Sequence, residues 1–256
     1  MANVNRREEI LGSEFHTNNS GRCFVIDYKN KSDVTIMFYD PICVVKCRLN
    51  NLKIGRVSNP MFPSVQGVGY FGLGKYSRKD RKVYKLWCSV LDRCYNKKSF
   101  VKLPTYQDVT VCDEWLNFQN FAAWCESQKF FNTKDDKGNS YQLDKDILVK
   151  GNKIYSPETC CFVPSEINSL FTLSGAKRGQ YPVGATFDKS SNKFKASLNI
   201  DGKLKNLGRF KNSEDAFLAY KCAKEWRIKQ LANKWMGNVE DKTYNALMYW
   251  EINIED

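Results

Sequence analysis

Asp144, Lys145, Asn152 and Asn168 stand within one stretch, Leu143 to Phe171, that reads LDKDILVKGNKIYSPETCCFVPSEINSLF. A carboxylate and an amide oxygen are hard ligands of the kind Mg²⁺ accepts, with water and phosphate oxygens filling its other positions. An aspartate and an asparagine brought together could therefore hold a metal ion against a phosphodiester. The local signals predict elements that would do so. Leu143 and Asp144 end a short strand, Gly151-Asn152 marks a turn, and Tyr155 and Pro157 close the loop. Cys160 to Val163 form an apolar strand, Pro164 ends it, and Ser165 caps a helix carrying Ile167, Asn168, Leu170 and Phe171. In a hairpin followed by a helix, Asp144 and Asn168 converge. Taken without their flanks, Asp144-Lys145-Asp146 is equally a solvated turn, Asn152 an ordinary turn residue and Asn168 a surface helix residue.

The stretch resembles the HNH, or His-Me finger, nucleases, whose strand–loop–strand–helix holds one divalent metal at the scissile phosphate. The resemblance extends over YKLWCSVLDRCYN, PTYQDVTVCDEWLNFQNFAAW, LDKD and YSPETCCFVPSEIN, from Tyr84 to Phe171, and is closest to a phage-encoded branch of that family. It implies that Asp144 and Asn168 are the metal ligands, for Mg²⁺ or Mn²⁺. It also implies that Asn152 braces the loop and that Lys145 stands where the family has its general-base histidine. The chain departs from the family there, since its single histidine, His16, lies far upstream. A lysine is a poor general base: neutralising an ordinary one at pH 7 costs roughly 4–5 kcal/mol.

The 256 residues are enough for two or three small domains. No apolar run reaches the ~18–20 residues of a membrane span, and MANVNRREEILG has no apolar core of a signal peptide. The ten cysteines include no CxxC pair. Most fall among apolar neighbours, where a free thiol behaves as a small hydrophobe; zinc is not expected, and a reducing cytoplasm, that of a phage-infected bacterial host, is the expected setting. The net charge of +12 is concentrated: residues 75–103 hold ten bases against two acids, and residues 180–234 hold twelve against five. Two basic blocks on a near-neutral background point to nucleic-acid contact.

In chain order, residues 1–60 read as short strands, CFVIDY, VTIMFY and CVVKCRL, and resemble a Src-homology-3-like barrel, either a cap or a surface for a protein partner. Residues 61–81 read as a Gly-rich basic linker whose Arg78, Lys79 and Arg81 are placed to follow a DNA backbone. Residues 82–173 form the HNH-like module. Within it the apolar spacing predicts helices over 82–95 and over about 113–128. A basic linker follows at 174–181.

Residues 180–236 read as three short strands and a helix, with turns at Ser190-Ser191-Asn192 and Asp201-Gly202. Phe194, Ala196, Leu198 and Ile200 alternate with Lys193, Lys195, Ser197 and Asn199. The elements GATF, KFKASL, LGRF and AFLAY resemble the apetala-two DNA-binding domain. That resemblance implies a DNA face made by Lys193, Lys195, Ser197, Asn199 and Arg209. Thr186, Ser197 and Asn199 stand where the family carries base-reading arginines. Residues 237–256 form an acidic tail.

The expectation is a multi-domain α+β protein that binds double-stranded DNA and has no membrane segment. Its barrel, ββα-metal centre and three-stranded sheet plus helix make it an HNH-type endonuclease of homing character. The alternative is a DNA-binding regulator, or an interaction protein, whose catalytic module is spent.

Overall fold

The computed structural model describes residues 7–102, 106–171 and 180–256. The fold is mixed α+β with several small sheets. It divides into two compact units, Met1–Ser127 and Gln128–Asp256. The segment 82–173, expected as one module, contributes to both. Most of the linker expected at 174–181 lies outside the described residues.

The first unit opens with strands β1 (Glu14–Thr17), β2 (Gly21–Asn30), β3 (Asp33–Tyr39) and β4 (Ile42–Cys47) and helix α1 (Leu49–Lys53). Along β3 the alternation of Val34, Ile36 and Phe38 sends every second side chain into the core, beside Val25, Leu49 and Leu52. Among the described residues the closed barrel expected over 1–60 is not formed. The sheet is an open antiparallel meander in the order β1-β2-β3-β4. The chain leaves β4 directly into α1, and Gly55 accepts the Asn18 N–H through its carbonyl. A helix and one loop contact thus stand where closure would require a strand ladder.

The same unit holds a second, aromatic core. Helix α2 (Arg81–Tyr95) buries the expected face, Val83, Trp87, Val90, Leu91 and Cys94. Helix α3 (Lys97–Lys102) and strand β5 (Thr110–Val111) follow. The single helix expected over 113–128 is two, α4 (Asp113–Leu116) and α5 (Phe118–Ser127). Asn117 is extended between them, and its side-chain oxygen accepts the Gln119 N–H to restart the helix. Residues 61–81 are packed along this core. Tyr70 exchanges backbone hydrogen bonds with Leu116 and Phe118. The Gln119 side chain donates to the carbonyls of Phe71 and Tyr76 and accepts the Tyr76 N–H. Gly69 is required by close approach: a Cβ there would lie 2.3 Å from Leu91 and 2.9 Å from Trp87.

The second unit contains β6 (Gln142–Asp144), β7 (Ile154–Tyr155), β8 (Cys161–Val163) and α6 (Ser165–Phe171). Strands β6 and β8 are antiparallel, with Leu143 opposite Phe162 and Asp144 opposite Cys161. Then come β9 (Ala185–Asp188), β10 (Lys193–Ile200), β11 (Lys203–Phe210) and the helices α7 (Ser213–Lys234) and α8 (Asp241–Met248). The sheet order is β11-β10-β9. Asn212 caps α7 by accepting the Asp215 N–H at 2.7 Å. Ala196 and Ala216 are fully buried between sheet and helix, small enough to let the two approach closely.

One carboxylate joins α6 to α7. Glu166 accepts Lys234 Nζ at 2.5 Å and Trp235 Nε1 at 3.0 Å, and pairs with Arg227 at 3.6 Å. Lys224 donates to the Leu170 carbonyl at the end of α6, at 2.7 Å, and burial lowers its pKa. Among the described residues, no helix is long and apolar enough to cross a membrane.

Candidate functional site

The loop from Asp144 to Ile154 is held by its own polar groups. Asp144 ends β6 and is 8% exposed. Its Oδ1 accepts the N–H groups of Asp146 and Ile147 at 2.8 and 2.9 Å, which folds the chain back on itself. Burial nevertheless raises the Asp144 pKa, the two N–H groups offsetting part of the effect. Its other oxygen accepts no hydrogen bond among the described residues.

Lys145 is 7% exposed. Its amine donates to Asp146 Oδ1 at 2.6 Å and to the Asn152 carbonyl at 2.9 Å, and lies 6.0 Å from the Tyr155 ring centre. Asn152 answers across the loop. Its Nδ2 donates to the carbonyls of Lys145 and Ile154 at 2.8 and 2.6 Å, and its Oδ1 accepts the Ile154 N–H. Gly151 turns the loop with φ of +73°, a conformation that side-chain-bearing residues rarely adopt. Lys150 ties the loop to the last segment: it donates to the Glu251 carbonyl at 2.8 Å, pairs with Asp256 at 2.5 Å and lies 5.8 Å from the Trp250 ring centre. Trp250 in turn meets Phe171 of α6 with ring centroids 4.5 Å apart.

Asn168, on α6, donates from Nδ2 to Gln142 Oε1 at 2.5 Å. Gln142 and Asp144 are two residues apart on β6 and share a face by strand alternation. The helix amide is thereby tied to the strand that ends in Asp144. As a donor set Asp144 and Asn168 fit Mg²⁺ or Mn²⁺ in type: two hard oxygens, with water and phosphate to complete the shell. No cluster of three or more His, Cys, Asp or Glu that could hold a metal gathers among the described residues. The cysteines beside the site are inert as ligands or nucleophiles, since burial pushes the Cys160 thiol up to about 12 and Cys161 further.

The three-stranded sheet presents a different surface. Thr186, Lys195 and Arg209 form one cross-strand row, with Lys193 opposite Asp188, Ser197 opposite Asn206 and Asn199 opposite Leu204. This is the face away from α7. Lys193, Asn199 and Arg209 are exposed, and Lys195 and Ser197 are half-buried. Arg209 Nε donates to Asp188 Oδ2 at 3.0 Å. The hydroxyl of Ser190, then Arg209 and Ser191, hold the Asp188 carboxyl well below the usual carboxylate range. In the first unit, Arg78 lies 5.5 and 5.9 Å from the Phe71 and Tyr84 ring centres, so its plane is engaged in cation–π packing, while Lys79 and Arg81 are exposed.

Three residues that sequence reasoning passed over complete these sites: Gln142, which holds Asn168, Lys150, and Asp188, which orients Arg209; Asp146, read as part of a solvated turn, holds Lys145. Only Asp188 carried a local signal, as the aspartate that opens the turn Asp188-Lys189-Ser190-Ser191. Compared with known proteins, the chain matches no family model, no curated protein and no solved structure.

Proposed function

We propose that the protein binds double-stranded DNA through the outward face of β9-β10-β11, and that Lys145 serves as a structural tie in an HNH-like scaffold rather than as a general base. The observation that supports the reading most is the distribution of charge on the sheet. Lys193, Lys195 and Arg209 stand on one face with the small polar residues Thr186, Ser197 and Asn199 between them, while the opposite face is buried on α7. Basic residues at that spacing fit phosphate oxygens, and the short polar side chains let the sheet lie close to base edges. Replacing Lys193, Lys195 and Arg209 together by Ala, and titrating a labelled duplex across salt concentrations, tests it. An unchanged affinity and salt slope would move the DNA face elsewhere.

A second reading, slow metal-dependent nicking, is favoured by the unengaged oxygen of Asp144 at the end of β6, the strand whose Gln142 receives Asn168. A metal bound there would supply a polarised phosphate and a hydroxide. Asp144 and Asn168 would orient it, and Lys145, fixed between Asp146 and the Asn152 carbonyl, would contribute positive charge alone. Supercoiled-plasmid nicking with Mg²⁺ or Mn²⁺ separates the readings. Cleavage that rises toward alkaline pH, is lost in Asp144→Ala and increases in Lys145→His supports the second. Inertness of both wild type and Lys145→His, with no metal binding by calorimetry, leaves the first.

A further inference from the structure

Helix α7 has a buried face, with Ala216, Phe217, Ile228, Leu231 and Ala232 turned inward. Its other side carries a stripe that the fold does not use. Asp215, Leu218, Cys222, Trp226 and Lys229 follow one another at spacings of 3, 4, 4 and 3, which keeps them within about a quarter-turn of the helix surface. All five are exposed, Leu218 at 53% and Trp226 at 60%. A leucine and a tryptophan on one line, flanked by opposite charges, mark an interaction seam.

We infer that this stripe is a self-association surface, on which a second copy of the chain lays its own α7 antiparallel about a two-fold axis at Cys222. The pattern is self-complementary in that orientation alone. Antiparallel pairing sets Leu218 against Trp226 of the second copy and Asp215 against its Lys229. Parallel pairing would set Asp215 against Asp215 and Lys229 against Lys229, which repel. Cys222, small and central, lets the two helix axes approach, and a two-fold axis makes the contact isologous and closed. At the helix cap Asn212 engages the Asp215 backbone N–H and one of its carboxylate oxygens. The apolar content is small, so the contact belongs with weak, reversible interfaces. The inference is independent of the DNA-binding reading, because association is measured without DNA. Where both hold, two sheets are delivered to one duplex.

Sedimentation velocity of the full chain over a concentration series tests it. The expected result is a concentration-dependent rise in weight-average mass that Trp226→Glu weakens at least tenfold. Lys229→Asp and Asp215→Lys each set like charges against each other and should weaken it, and the double exchange should restore it. Leu218→Glu serves as a second apolar probe. Diamide adds a positional readout. Two Cys222 thiols give up two protons and two electrons to the diazene bond, which becomes a hydrazine, and the disulfide-linked dimer should vanish in Cys222→Ser. A chain that stays monomeric with no Cys222-dependent cross-link overturns the inference. So does a dimer that survives both Trp226→Glu and Leu218→Glu, since the copies would then meet through another surface.

Discussion

The loop around Lys145 and the outer face of the three-stranded sheet lie in one unit and are both rich in polar residues, yet they use them in opposite ways. In the loop each of the site's donors finds an internal acceptor: Lys145 on Asp146 and a carbonyl, Asn152 on two carbonyls, Asn168 on Gln142. On the sheet Lys193 and Lys195 take no ion pair among the described residues, and only Arg209 is drawn to a carboxylate. A buried polar group must be satisfied or its desolvation costs stability, whereas an exposed cation keeps its charge for a partner. The disposition of hydrogen bonds therefore tells whether a polar side chain is free to react.

The contrast can be broken most forcefully on the sheet. Lys193, Lys195 and Arg209 replaced together by Ala should lower DNA affinity roughly 100- to 1000-fold near 0.1 M salt and reduce the log–log salt slope by about 3, while leaving thermal stability unchanged. In the loop the outcome should invert. Asn152→Ala strands the Lys145 carbonyl, Thr159 still donating to that of Ile154, and should cost about 2 kcal/mol in denaturant unfolding, with DNA affinity little altered. Lys150→Ala removes a half-buried pair with Asp256 and should cost only about 0.5–1 kcal/mol, visible as faster amide exchange over residues 147–153.

The finest test concerns Asp144. Its folded pKa is raised, so the folded state binds a proton more tightly than the unfolded chain, and stability falls as pH rises through the interval between the two values. Asp144→Asn keeps an oxygen for the Asp146 and Ile147 N–H groups and removes the buried charge. It should raise the melting temperature at pH 7, and the gain should disappear at pH below the ordinary carboxylate range. A gain that persists in acid would assign the effect to packing instead.

Much of this was legible in the residues. Alternation placed Val34, Ile36 and Phe38 inside, the apolar spacing of α2 gave its buried face, and Asn212 with Asp215 marked the start of α7. The open edge of the first sheet was not legible, because closure depends on which segment packs beside β4 in space rather than on strand propensity. The break at Asn117 was missed because the residues on both sides favour a helix; a backbone bond from Tyr70, far away in sequence, decides it. Lys145 illustrates the limit at the site. Its place just past the strand end at Asp144 was readable, but its two acceptors come from Asp146 and a carbonyl across the loop, and no local pattern announces a carbonyl.

The three donors gathered by Glu166 bear on how the second unit unfolds. Lys234, Trp235 and Arg227 all belong to α7 or its end, so detaching α6 takes this carboxylate from all three and leaves Trp235 Nε1 without its acceptor, while Arg227 keeps Asp201. The hairpin with its helix and the sheet with its helix should therefore melt as one cooperative block. Calorimetry on the chain should give a single endotherm for residues 128–256, with van't Hoff and calorimetric enthalpies in agreement. Glu166→Ala should split that endotherm in two, separating the melting of the loop from that of the sheet.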